Sequence, residues 1–272
     1  MSETVEEIRR RVNSAQKNYQ ANIQKINNIL MAERGFISRT PKDEDVVMLC
    51  SGGLDSIVMV DKVISEWNSR VHLLFFKRGA RAEKHEEEAF DYFELFYKRK
   101  YSEKMGAVKK FDYQIPPKSF KNSFPKEWAQ TIGHPLRNST MQNLAVNYAA
   151  ALNGKYDLNI KTILSGSVAE DGTEPELGLL SLRTQTLNTC VQMGDWEWQI
   201  TSPMTDPELV TKPIYKTDLI IYAMNNFIPL DRTRTCFSSD EKADGTCFAC
   251  KKRLKAFEDA GMKDSLEYRR DD

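Results

Sequence analysis

The chain has 272 residues, 40% of them hydrophobic, with 39 basic and 39 acidic side chains. This length suits one α/β domain carrying an extension. A net charge of zero without a basic run argues against a chain that lives on nucleic acid or an anionic membrane, and no apolar stretch approaches the ~20 residues of a membrane helix.

The N-terminus, MSETVEEIRR, is too polar and acidic for a secretory signal, so a cytoplasmic protein is expected. Residues 3 to about 34 hold neither Gly nor Pro and are predicted as one long helix. Val5, Ile8, Val12, Ala15 and Tyr19 recur at spacings of three and four, and Ile23, Ile26 and Leu30 continue the stripe after a one-residue slip. A narrow apolar stripe on a charged helix suits packing on its own domain, a homodimer arm or a partner arm. Gly35 and Pro41 close this extension, residues 1–40.

The central domain is read as residues 44–230. Val46 to Cys50 is a short apolar run that stops at Ser51-Gly52-Gly53, and a helical pattern follows from Asp55 to Trp67. Strands are predicted at 71–76, 110–115, 162–166 and, more weakly, 197–201; helices at 83–100, 138–152 and 214–227, with Cys190 in a further helix. Strands alternating with helices imply an α/β fold, a Rossmann-like parallel sheet of five strands with helices on both faces. Residues 231–272 form a separate helical segment holding Cys236, Cys247 and Cys250. Five cysteines cannot all pair with one another, and in a chain without an export signal this crowding points to a metal rather than to disulfides. Cys50 and Cys190 read as packing residues.

The sharpest pattern is Ser51-Gly52-Gly53-Leu54-Asp55-Ser56 between a buried strand and a helix. Small residues let backbone N–H groups approach phosphate oxygens, and the helix N-terminus favours negative charge. Ser51 and Ser56 can donate hydroxyls; Asp55 would hold Mg2+, directly or through water, or brace the turn. The pattern lacks the Gly-Lys-Ser/Thr ending of a Walker loop and is not a dinucleotide fingerprint.

Ser-Gly-Gly-x-Asp-Ser after a first strand resembles the signature of the PP-loop ATP pyrophosphatases, which include NAD synthetase, GMP synthetase and tRNA thiolases. Their shared chemistry implies cleavage of ATP to AMP and pyrophosphate, with an adenylate then displaced by a nitrogen or sulfur nucleophile. Further landmarks resemble the 7-cyano-7-deazaguanine synthases over residues 44–258. These are Lys77-Arg78-Gly79, Leu136-Arg137-Asn138, Gly166-Ser167-Val168-Ala169-Glu170-Asp171, Ser202-Pro203-Met204 and Lys216-Thr217-Asp218-Leu219-Ile220. The resemblance implies ATP binding by Ser51 to Ser56, Arg78 and Gly166. Arg137 and Lys216 are expected to neutralise charge as the α–β phosphate bond breaks, with Asp55 the third catalytic candidate. Asn138, Glu170, Asp171 and Arg183 are candidates for the substrate. Glu170 and Asp171 would read a guanidine-like edge, help hold magnesium, or simply open a helix.

The synthases hold a structural zinc on four thiolates. Here the position three before Cys247 is Asp244, so the expected set is Cys236, Asp244, Cys247 and Cys250, an admissible zinc site; His134 is the less favoured fourth ligand. The family's Tyr-Pro-Asp-Cys-Arg stretch is replaced by Gly172-Thr173-Glu174-Pro175-Glu176-Leu177-Gly178, with Arg183 as the substitute Arg. The family converts 7-carboxy-7-deazaguanine with ammonia to the amide and then the nitrile. A diverged member would stop after one round or take another amine, including a protein amine in a phage-defence setting. A tRNA sulfur-transfer enzyme and a non-catalytic nucleotide-binding assembly protein are the remaining alternatives.

Overall fold

The computed structural model describes residues 3–129, 134–172 and 175–269. The predicted N-terminal helix is two helices, α1 (Val5–Ala15) and α2 (Tyr19–Arg34), joined by a 3-10 turn over Gln16–Asn18. The break at Gln16–Asn18 comes before Tyr19, upstream of the slip in the apolar stripe between Tyr19 and Ile23. Ile8, Ile23 and Leu30 are buried. α2 ends at Gly35, whose left-handed backbone (φ 76°) lets its N–H return to the Met31 carbonyl.

Five strands follow: β1 (Asp45–Leu49), β2 (Arg70–Lys77), β3 (Met105–Asp112), β4 (Thr162–Leu164) and β5 (Gln199–Thr201). They form one parallel sheet in the order β3-β2-β1-β4-β5. The intervening helices are α3 (Leu54–Trp67), α4 (Glu83–Tyr101), the short α5 (Lys118–Lys121) and α6 (Lys126–Ala129), α7 (Arg137–Tyr156), α8 (Leu179–Met193), α9 (Lys216–Asn225) and α10 (Phe248–Asp259).

The central strands are apolar because both faces are covered. Val46, Met48, Leu73 and Phe75 pack against α3, α4 and α9, whereas Val47, Leu74, Ile163 and Ile200 pack against α7 and α8. β3 begins five residues before the expected 110. Its first half includes Gly106, where a Cβ would lie 2.6 Å from the His72 ring. Its second half carries Lys110, held by Glu87 and Asp91 of α4. A strand with a glycine at one end and a salt-bridged lysine inside shows little apolar alternation.

Arg183 stands apart from its expected role. It is fully buried on α8 and makes a two-pronged ion pair with Asp206, each contact 2.6 Å. Its remaining donors reach Ser38 (2.7 Å) and Asn27 (3.1 Å) of the N-terminal extension. The expectation that Arg183 meets the substrate is therefore corrected: every nitrogen is used in joining α2, α8 and the segment after β5. Arg34 strengthens the same seam, donating to the carbonyls of Trp196 (3.0 Å) and Trp198 (2.6 Å).

Candidate active site

A cleft of about 740 Å³ opens at the C-terminal ends of β1, β2 and β4, beside a second hollow of about 300 Å³. The winding reverses between β1 and β4, which is where an open parallel sheet leaves a crevice for a ligand. The turn after β1 forms the floor. Gly52 has φ 76°, and a Cβ there would stand 2.4 Å from the Glu86 carbonyl oxygen; both the conformation and the close approach require glycine. Ser56 is buried and braces the turn: its Oγ accepts from the Ser51 N–H (3.2 Å) and donates to the Gly53 carbonyl (3.1 Å). Gly166, after β4, lies against Ser56, with a virtual Cβ 3.5 Å from the serine Cβ.

Asp55 and Lys216 meet across the cleft. Lys216 Nζ donates to Asp55 Oδ2 at 2.8 Å, and the Lys216 backbone N–H donates to Glu170 Oε1 at 2.9 Å. Burial would lower the lysine's pKa, but the charges of Asp55, Asp171 and Glu170 win and raise it, so the ammonium is retained. Asp55 Oδ1 and Glu170 Oε2 are buried and have no hydrogen-bond partner. Asp171 faces Lys252 of α10 at 3.5 Å.

Arg78 pairs with Glu86 through contacts of 2.6 and 3.0 Å. Arg137 and Asn138 open α7 on the far wall; Arg137 Nε and Asn138 Nδ2 are buried and unpartnered. The structure thus brings Ser51 to Ser56, Arg78, Arg137, Asn138, Gly166, Glu170, Asp171 and Lys216 to one end of the sheet. Of the loop 172–178, Thr173 and Glu174 lie outside the described residues, while Glu176 lines the cleft.

The wall nearest α10 was not foreseen. Phe237, Phe248 and Lys252 line the cleft. Arg234 joins them: its N–H donates to the Gly52 carbonyl (2.9 Å) and its guanidinium to the carbonyls of Ser238, Asp240 and Glu241. Their one sequence signal was proximity to Cys236 and Cys247.

Behind that wall, one ligand atom each from Cys236, Asp244, Cys247 and Cys250 lies within 4.8 Å of the others. Asp244 Oδ1 accepts the N–H groups of Thr246 and Cys247, both at 2.9 Å. Those bonds, chiefly the one from Cys247, hold the carboxyl down at about 2. Cys236 Sγ accepts the N–H groups of Ser238 and Asp244, each at 3.3 Å. Three soft sulfur donors with one carboxylate suit Zn2+. The residues present therefore fit the ion. His134 lies instead against Phe124, ring centroids 6.1 Å apart, and is not among the four. The buried apolar cluster around these ligands is small, centred on Cys236, Ala243 and Cys250, so a bound metal would add stability there. Cys247→Ser is expected to lower bound zinc and the unfolding temperature together; elemental analysis with a thermal melt checks this.

A phosphate turn at the switch point of such a sheet, with a charged pair poised over it, places the chain among the PP-loop ATP-dependent ligases. A family model described as queuosine biosynthesis protein QueC matches residues 45–261, and the chain belongs to that family. The 7-cyano-7-deazaguanine synthase of Chloroherpeton thalassium is 28% identical over 236 residues, covering 82% of this chain and 96% of that protein. The synthase of the same description from Nitratiruptor sp. is 28% identical over 237 residues, covering 82% and 98%. A solved NMN synthetase from Francisella tularensis aligns over 90% of this chain and 87% of its own at 13% identity, with a TM-score of 0.45, too remote to inform the chemistry. Among the described residues no helix is long and apolar enough to cross a membrane.

Proposed function

We propose that this enzyme adenylates the carboxylate of 7-carboxy-7-deazaguanine or a close analogue and then joins the acyl carbon to ammonia or another amine. The observation that carries the reading is the Asp55–Lys216 pair beside the glycine turn, with one Asp55 oxygen left unpartnered in a buried setting. In the first step a carboxylate oxygen attacks the α-phosphorus of ATP, and the bond to the β-phosphate oxygen breaks. Pyrophosphate departs into the turn from Ser51 to Ser56, where backbone N–H groups and the α3 N-terminus receive its charge. Lys216 and Arg137 supply positive charge as the bond opens, in a cleft where fixed charges act more strongly than in bulk water. In the second step the amine attacks the acyl carbon, AMP leaves, and the nitrogen gives up a proton.

Asp55 Oδ1 and Glu170 Oε2 are hard oxygen donors without partners and would hold Mg2+. That ion would offset the charge of the triphosphate. Arg78, Gly166, Asn138 and Asp171 complete the walls for nucleotide and acid. A sulfur-transfer reading has less support: Cys50 is buried and its thiol is pushed up to about 11 by burial, which disfavours the thiolate such chemistry needs. The two apolar faces beside the turn, with Leu49, Phe76, Met141 and Phe237 in the smaller hollow, suit planar purine-like rings.

The test is mass spectrometry of the products from ATP, 7-carboxy-7-deazaguanine and ammonia. AMP, pyrophosphate and the amide or nitrile are expected. ADP with orthophosphate would overturn the reading.

A further inference from the structure

Glu176 lies in the stretch where the sequence departs from the synthase pattern, and the sequence reading gave it no role. In the fold it leans over the first turn of α7. Its Oε1 accepts the Arg137 backbone N–H at 2.9 Å, and its Oε2 stands 3.9 Å from the Arg137 guanidinium. Among the described residues it is the one carboxylate within 4.0 Å of Arg137. Burial raises its pKa against the pull of Arg137, so the contact is made in a shielded setting where it counts for more.

Two further features show that the turn needs holding. Leu136, immediately before Arg137, has φ 56° and is 70% exposed. A non-glycine residue in this conformation costs on the order of 1 kcal/mol and persists where its surroundings fix it. Its exposed side chain provides little packing to do so. Arg137 lines the cleft, and its Nε is buried without a partner, so part of its donor capacity is unused.

We propose that Glu176 is a positioning residue for Arg137: by gripping the first N–H of α7 and one end of the guanidinium, it fixes the other end toward the reacting phosphate. This rests on the reading above that Arg137 stabilises departing charge. The departure from the family's loop thus supplies a support for a residue the family motif retains. Glu176 touches no reacting atom in this arrangement. Its effect passes through Arg137, and misplacement of a charge-stabilising group lowers turnover more than ground-state binding.

The experiment measures pyrophosphate release and ATP affinity in Arg137→Ala, Glu176→Ala and Glu176→Gln. The glutamine keeps an oxygen for the Arg137 N–H. Glu176→Ala is expected to lower kcat at least about tenfold with the KM for ATP within about twofold, and Glu176→Gln to stay within about threefold of wild type. Arg137→Ala should lose at least as much as Glu176→Ala, and the double variant should lose no more than Arg137→Ala alone. Wild-type turnover in Glu176→Ala, with Arg137→Ala impaired, overturns the proposal while sparing the role of Arg137. Wild-type turnover in Arg137→Ala removes that role and the proposal with it. A Glu176→Gln variant as impaired as the alanine overturns positioning in favour of a charged role for Glu176 itself. If the alanine variant fails to fold, Glu176→Met, which fills the space but offers the Arg137 N–H no oxygen, takes its place under the same thresholds.

Discussion

Lys216→Ala is expected to reduce pyrophosphate release by a factor of about 10² or more while the protein keeps its fold, because it removes a preorganised positive charge from the site of bond breaking. The fold should survive for local reasons. Lys216 is the first residue of α9, whose N-terminus is secured by backbone contacts: Glu170 accepts the Lys216 N–H and Asp218 the Tyr215 N–H, both at 2.9 Å. Asp55, left behind, is partly open to water, with 23% of its side chain exposed. Asp55→Asn should impair the same step from the other side. It keeps the size of the side chain but gives up the charge that pairs with Lys216. Circular dichroism would show both variants native, and a pyrophosphate-coupled assay would show both slow. Wild-type rates in the two variants would remove the pair from the chemistry.

Arg183→Ala is the complementary case, a large loss of stability away from the cleft. The guanidinium and the Asp206 carboxylate are both fully buried. Burial alone would raise the Asp206 pKa, but Arg183 and then Thr201 more than offset it, so the group is held below the ordinary aspartate range. Removing one partner of such a pair strands the other charge, at about 3–5 kcal/mol. In a chain of this size the melting midpoint should fall by roughly 10 °C. Thermal unfolding checks the magnitude. A melt unchanged from wild type would show that the pair contributes nothing net.

These two residues also mark the boundary of what the sequence discloses. The turn at Ser51 to Ser56 and the strand before it are legible because their constraints are local: a short apolar run, then residues small enough for close backbone approach. Lys216 is legible by its position in an ordered series of landmarks. Arg183 is misleading for the opposite reason. Its partners Asp206, Ser38 and Asn27 come from distant segments, and nothing near it in the chain distinguishes a buried clamp from a ligand-binding arginine. The same cause hides the bounds of α8, which the sequence shows only as a helix around Cys190; its buried face includes Arg183, Gln185, Thr186 and Thr189, and a polar face of this kind leaves no apolar stripe. An aromatic beside a cysteine cluster reads as local packing, and only the tertiary arrangement brings Phe237 and Phe248 to the wall of the cleft.

The contact between Asp55 and Lys216 joins residues 161 positions apart, one from the first half of the winding and one from the second. A nascent chain that has completed only β1 to β3 already owns the glycine turn, yet it lacks the ammonium that faces it. With Lys216 in the role proposed for it, the onset of pyrophosphate release during refolding becomes a clock for the docking of the two halves.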